Sequence, residues 1–328
     1  LIVPIALGVA GIFGLGKTVK AFVDNNEAND IAKSAQSIVA DAERALATAK
    51  AVCNEGLKQY GDQKIGVVNV QVREFVNAFG QLKNVRLSHS PELDRLAVGD
   101  FTEVSLDELR HTCSFVSDLA TSAATGVGAG AVTAFGAYGG TMMLASAGTG
   151  TAIGTLSGVA ATNATLAWLG GGTLAAGGYG VAGGTMVLGV LVAGPALLVL
   201  GGVLGAQASK KLDEARANRE KALTFDAETR VVLEKLNAIV AVTSVGRELL
   251  ANLQERLGAA NATMKDIIRA FGVDFSTYPD DAKDCIFKAV TYAQLVKKVV
   301  DTPILAEDGS LAETSVIGFT EAKSLLEA

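Results

Sequence analysis

The sequence predicts an all-α protein: long antiparallel helical rods carrying a glycine-rich, apolar helical hairpin or bundle of a membrane-inserting kind. Three observations lead there. No charged side chain occurs between Asp118 and Lys210. On either side of that run, apolar and small residues recur at alternating steps of four and three, which is the spacing of a helix seam. Strand–turn–strand alternation is absent along the chain.

Composition narrows the function classes. The chain has 328 residues, 49% of them hydrophobic but only 5% aromatic, and its mean hydropathy is +0.35. A core of Ala, Val, Leu and Ile without large rings suits close helix–helix contacts. Glycine is abundant (37) and proline scarce (5). A net charge of −6 argues against nucleic acid as a partner, because a phosphate-binding surface needs a basic excess or stripe. Affinity for a bilayer would have to come from apolar burial instead. Cys53, Cys113 and Cys285 lie far apart, which is not a disulfide framework and reads as small buried hydrophobes in a reducing compartment.

Four regions are expected: an apolar N-terminal helix (1–24), a helical rod and connector (25–118), the glycine-rich segment (119–209) and a C-terminal helical domain (210–328). Leu1–Gly16 carries Gly8, Gly11 and Gly14 at steps of three, a glycine-faced helix that reads as retained rather than cleaved. Lys17 and Lys20 follow it and can reach an interface by snorkelling. Asn25–Asn29 reads as a polar joint. From Asp30 a helix is expected with the seam Ile31, Ala35, Ile38, Ala42, Ala45, Ala49, Val52 and Gly56. Val68, Val72, Phe75, Val76, Phe79 and Leu82 widen that face, with a kink expected at Gly61 and Gly66. Lys83–Asp100 is a connector. Ser105 and Glu108 have capping-box spacing ahead of a helix from Leu106.

The charge-free segment divides at glycine clusters into pieces near 119–138, 141–162, 164–182 and 185–207. Only Thr185–Leu204 is apolar enough to span alone, a span needing about 20 residues. The others are rich in Gly, Ala and Thr and need helical company. Small residues recur four apart at Gly126/Gly130, Gly136/Gly140, Gly150/Gly154/Gly158, Gly180/Gly184 and Gly201/Gly205, a spacing that lets helix backbones touch. Trp168 is placed as an interfacial anchor. After Lys210 and Lys211, a second rod over 206–257 has the seam Val232, Leu236, Ile239, Thr243, Gly246, Leu250, Leu253 and Leu257. Shorter helices are expected at Asn261–Phe271, Pro279–Val300 and Ser310–Leu326, the middle one opening on Asp280 and Asp281 at the positive helix end.

Motifs for chemistry are few. Gly11–Thr18 fits G-x-x-x-x-G-K-[ST], in which Gly16, Lys17 and Thr18 would cradle phosphate and bind magnesium. A nucleotide-binding fold also needs a parallel sheet, and no further strands are found, so the glycine-faced helix is the stronger reading. Gly148–Gly154 has the wrong spacing for a dinucleotide loop. His89 and His111 have no partner at ligand spacing. Asp274, Asp280 and Asp281 lack the alternation of a calcium loop and read as caps. No metal, cofactor or catalytic residue is expected, and the protein is not expected to be an enzyme.

Two long amphipathic helices with an apolar hairpin between them form a layout, spread over most of the chain, that resembles the helical pore-forming cytolysins of the cytolysin A type. In that family the membrane element is shorter than 119–209. The string Ala161–Gly178 is similar to glycine-rich regions of uncharacterised bacterial glycine-zipper membrane proteins, a similarity that implies no activity.

The leading expectation is therefore an oligomeric membrane-inserting protein, pore-forming or membrane-remodelling, whose partners are a lipid bilayer and further copies of itself. By the positive-inside rule the rods lie on the cytoplasmic side. The alternative is a soluble helical scaffold with a buried glycine-zipper oligomer core. A third reading is a membrane-associated NTPase using Gly11–Thr18.

Overall fold

A computed structural model describes residues 15–85, 103–124, 129–143, 212–306 and 310–327, which are predominantly helical and contain no strand. Helix α1 (Leu15–Val67) is 53 residues long. It passes through Asn25–Asn29, so the expected joint there is helix. Asn costs a helix only a few tenths of a kcal/mol per residue, and Ala28 in the middle of that stretch is buried. The helix also continues through Gly61 and Gly66 to a π-helical turn, Val68–Val72, and then α2 (Arg73–Phe79). The irregular turn thus falls just after the glycines.

The buried stripe of α1 is Ala28, Ala35, Val39, Ala42, Leu46, Cys53, Leu57 and Tyr60. It departs from the expected seam at Val39, which is buried in place of the half-buried Ile38, and again after Ala42. Ala45 is exposed and Val52 is 53% exposed, while Leu46 and Cys53 take the buried positions. Steps of four and three carried forward from Ala35 lead to Leu46, and the larger side chain gains more from burial than an alanine beside it.

Helix α3 (Glu103–Ala124) is continuous across Asp118 and Leu119 and already includes Ser105 in its first turn. Helix α4 (Ala129–Met143) contains a break at Gly139. Helix α5 (Leu212–Phe271) is 60 residues long and merges the expected second rod with the expected Asn261–Phe271 helix. Asn261 does not break it, because its side chain is buried and donates to the Gln71 carbonyl at 2.8 Å. Helix α6 (Asp280–Asp301) starts after Pro279, with Asp280 and Asp281 in its first turn and Lys298 in its last. These charges complement the helix dipole. Helix α7 (Glu313–Glu327) closes the described chain.

The chain forms two compact units, Leu1–Thr48 with Val192–Glu234, and Ala49–Leu191 with Lys235–Ala328. In the first, Ala35, Val39 and Ala42 of α1 pack with Ala222 and Phe225 of α5, with Ile38 at the edge. Glu27 pairs with Arg216 at 3.3 Å. Both helices advance together from the first contact to the second, so they run parallel.

In the second unit the same direction holds. Gln63 donates to the Arg247 carbonyl at 3.0 Å, Asn261 reaches Gln71, and Lys265 pairs with Glu74. Beyond the helix ends, Lys83 N–H donates to Val273 at 2.8 Å and Phe275 N–H to Lys83 at 3.1 Å, a parallel bridge. Asn84 adds a 3.0 Å bond to the Asp274 carboxylate.

The expectation of antiparallel rods is therefore corrected. The chain makes a return pass before α5. Arg73 donates to the Cys113 carbonyl at 3.2 Å, and Gly80 lies by Arg110, so α3 runs against α2. Helix α4 continues that direction along α1, with Val132 at Gly61 and Gly136 at Leu57. Within each unit, the described parts of the two long helices run in the same direction.

Candidate functional site

The site of interest is the seat of α4, which lies within the glycine-rich segment. Its residues Val132, Ala134, Phe135, Ala137 and Tyr138 are all buried. Two glycines let the helices meet backbone to backbone. A Cβ at Gly61 would run into the Val132 carbonyl, and one at Gly136 into the Leu57 carbonyl. Such an approach is open only to glycine. Phe135 meets Phe115 of α3 edge-on at 6.0 Å between ring centroids.

Gly139 has φ 75°, in the left-handed region. A Cβ there would also lie 2.5 Å from the Asp301 carbonyl oxygen. A helix break leaves the carbonyls of the preceding turn open to other donors. The Ala137 carbonyl accepts from Ile304 N–H at 2.7 Å and Leu305 N–H at 2.9 Å. The Phe135 carbonyl accepts from Lys64 Nζ at 3.4 Å.

Lys64 is fully buried. Its ammonium sits 4.4 Å from the Tyr60 ring centroid and 5.6 Å from that of Phe135. Burial pushes its pKa down to about 7, and the charge of Asp301 only partly opposes this. Asp301 itself pairs with Lys297 at 2.7 Å, and Lys297 also reaches Glu108 of α3 at 3.5 Å. Burial lowers the pKa of Lys297, but Asp301 and Glu108 more than offset it and hold the ammonium above its usual range. Burial raises the Tyr60 phenol, which donates to the Val299 carbonyl at 3.3 Å. Sequence reading missed Lys64. The available signal was a lysine in the buried stripe, four residues after Tyr60 and three before Val67.

Of the expected packing glycines, Gly136 is in this seat, and Gly130 and Gly140 lie on α4. Gly126, Gly150, Gly154, Gly158, Gly180, Gly184, Gly201 and Gly205 lie outside the described residues, as do Trp168, Lys210 and Lys211. Gly16, Lys17, Thr18 and Lys20 lie on the first turns of α1, and Gly11–Gly14 lie outside the described residues. His111 is exposed on α3. Asp274 caps the short turn Phe275–Thr277, accepting from Ser276 N–H at 3.1 Å. An open depression of about 410 Å³ between α5 and α6 is lined by Arg256, Thr263, Cys285, Lys288 and Tyr292. The Arg256 guanidinium there is already bonded to Asn252 and to the Leu326 carbonyl. No helix among the described residues is long and apolar enough to cross a membrane.

No protein-family model, curated protein or solved structure matches the chain.

Proposed function

We propose that the chain is an oligomeric helical protein that inserts its glycine-rich segment, residues 119–209, into a lipid bilayer as a pore or membrane-remodelling assembly, and that it is not an enzyme. The observation that carries this reading is the charge-free run from Leu119 to Ser209 with its repeated small residues four apart. Buried in lipid, such faces gain only against other helices, within the chain or from further copies. In this reading the segment forms an even number of crossings as a hairpin or bundle. Lys17, Lys20, Lys210 and Lys211 anchor the flanks, Trp168 sits at the headgroup level, and the remaining helices stay on the cytoplasmic side.

The test is fractionation of the native protein. Membrane pelleting that resists carbonate, a detergent-corrected mass of several subunits, and dye leakage from liposomes are the expected results. Release by carbonate would exclude insertion. Retention without leakage would leave membrane remodelling as the activity.

A second reading has its own support. Helix α4 is buried among α1, α3 and α6 rather than displayed. A soluble scaffold would use the rest of 119–209 in the same way, as the core of an oligomer. A carbonate-soluble protein of multimeric mass would establish it.

A further inference from the structure

Lys64 is a charged residue type in a place built for apolar ones. It lies between α1 and α4 where the two backbones touch at Gly61 and Gly136. Among the described residues its ammonium has no carboxylate within ion-pair distance, and one of its three donors is used, on the Phe135 carbonyl at 3.4 Å. The ring faces of Tyr60 and Phe135 supply the rest of its surroundings. A fully buried cation with so few partners is costly, and the cost vanishes if either the proton leaves or α4 leaves and water enters.

The charged groups around the seat are few. Helix α6 supplies Asp301 and Lys297, paired with each other, and α3 supplies Glu108, which engages Lys297. Helix α4 brings only Tyr138 as a titratable side chain. On α5, Arg247 is exposed, and its carbonyl takes the Gln63 amide. On α7, Glu321 pairs with Lys298 at 2.8 Å. Among the described residues, Asp301 is the carboxylate whose charge acts on Lys64.

We propose that Lys64 is a proton-operated latch that holds the first helix of the glycine-rich segment in its seat when neutral and releases it when protonated. The proposal rests on the reading of 119–209 as a segment that leaves the helical body. The docked lysine titrates near 7 and the released one at the ordinary 10.5. Undocking therefore takes up a proton between these values. Docking strengthens as pH rises from about 7 toward 10.5, and below 7 the full cost of the buried charge is present and constant. Acidification to neutral or below is the releasing direction.

Amide hydrogen exchange of the full chain without membranes tests the latch separately from membrane insertion. After correction for intrinsic rates, protection of peptides within 129–143 is expected to rise roughly twentyfold from pH 6.5 to 8.5, one proton being linked over that window. Lys64→Met keeps the stem and removes the charge. It should give high, pH-independent protection of 129–143, with peptides from 236–257 unchanged as a control for folding. Asp301→Asn leaves Lys64 in place and should move the rise to lower pH. An equal rise in Lys64→Met, or no rise in the native protein, overturns the latch. Should Lys64→Met lose protection in 236–257, an unmoved midpoint in Asp301→Asn overturns it instead. A second arm uses vesicles of phosphatidylcholine and phosphatidylglycerol. Leakage should be faster at pH 6.5 than at 8.5 in the native protein and slow at both in Lys64→Met. An intact exchange profile without leakage would sink the membrane reading while the latch stands.

Discussion

The Cα of Gly136 lies against the carbonyl oxygen of Leu57, with no room between them for a methyl group. Gly136→Ala should therefore push α4 away from α1. Overpacking against a backbone, which cannot swing aside as a side chain can, costs about 1–3 kcal/mol or more. Urea titration followed by circular dichroism should show the loss. Gly66→Ala is the control: it is also within α1, but a Cβ there meets nothing within 4 Å. It should stabilise by up to about 1 kcal/mol through helix propensity. Equal effects of the two substitutions would rule out the contact.

The phase of the α1 stripe makes a sharper test. Leu46 is buried and Val52 is 53% exposed. Leu46→Ala should cost about 2–4 kcal/mol, and Val52→Ala should stay within about 0.5 kcal/mol of neutral. The opposite order would restore the seam through Ala45 and Val52.

The parallel run of α2 alongside α5 can be read by cross-linking. A zero-length carbodiimide should join Glu74 to Lys265 and Glu321 to Lys298, two carboxylate–ammonium pairs seen across helices. Tryptic mass spectrometry of monomeric protein identifies the products. Absence of the Glu74–Lys265 product, with the Glu321–Lys298 product present, would count against the alignment.

Thiol chemistry should separate the three cysteines. Cys53 and Cys113 are buried, and burial pushes each thiol up to about 11. Cys285 is only partly buried. A disulfide reagent at pH 8 should modify Cys285 quickly and the other two only after denaturant is added. The same shift sets a sign for alkaline stability. The unfolded thiols ionise near 9.0 and the folded ones near 11, so their contribution is present below pH 9 and declines as pH rises between those values. Replacing both by Ala should flatten that decline in a thermal-melt series.

The sequence was most readable where large side chains mark the helix period. Of the expected stripe of α5, Leu236, Ile239, Thr243, Gly246, Leu250, Leu253 and Leu257 are buried, and Val232 at its start is half-buried. It was least readable where alanine dominates. In Ala45-Leu46-Ala47-Thr48-Ala49 several phases are nearly equivalent in apolar area, and only the partner helix decides. The direction of α5 against α1 could not be read for another reason. Seam spacing is the same in either direction, and the return pass through α3 and α4 is a fact of tertiary packing. The seat itself was half legible. Gly136 stands out by its spacing from Gly140, whereas its partner Gly61 reads in the sequence as a kink. Lys64 was hidden because a lone lysine among apolar residues reads as surface until its neighbours are known.

The parallel alignment also sets an order in time. The groups that join α1, the π-helical turn and α2 to α5 are 184 to 191 residues apart in sequence, whereas Lys64 and Phe135 are 71 apart and Arg73 and Cys113 are 40 apart. A ribosome adding about 5–20 residues per second makes the distant partner available only after roughly 10–40 s. During that interval α3 and α4 emerge first, while the α1 stripe Ala35, Val39 and Ala42 still lacks its partner on α5. The glycine-rich stretch is synthesised in the same interval, before the helix that completes the body exists. Whatever meets that stretch at the exit tunnel, whether a chaperone or the bilayer itself, does so ahead of α5.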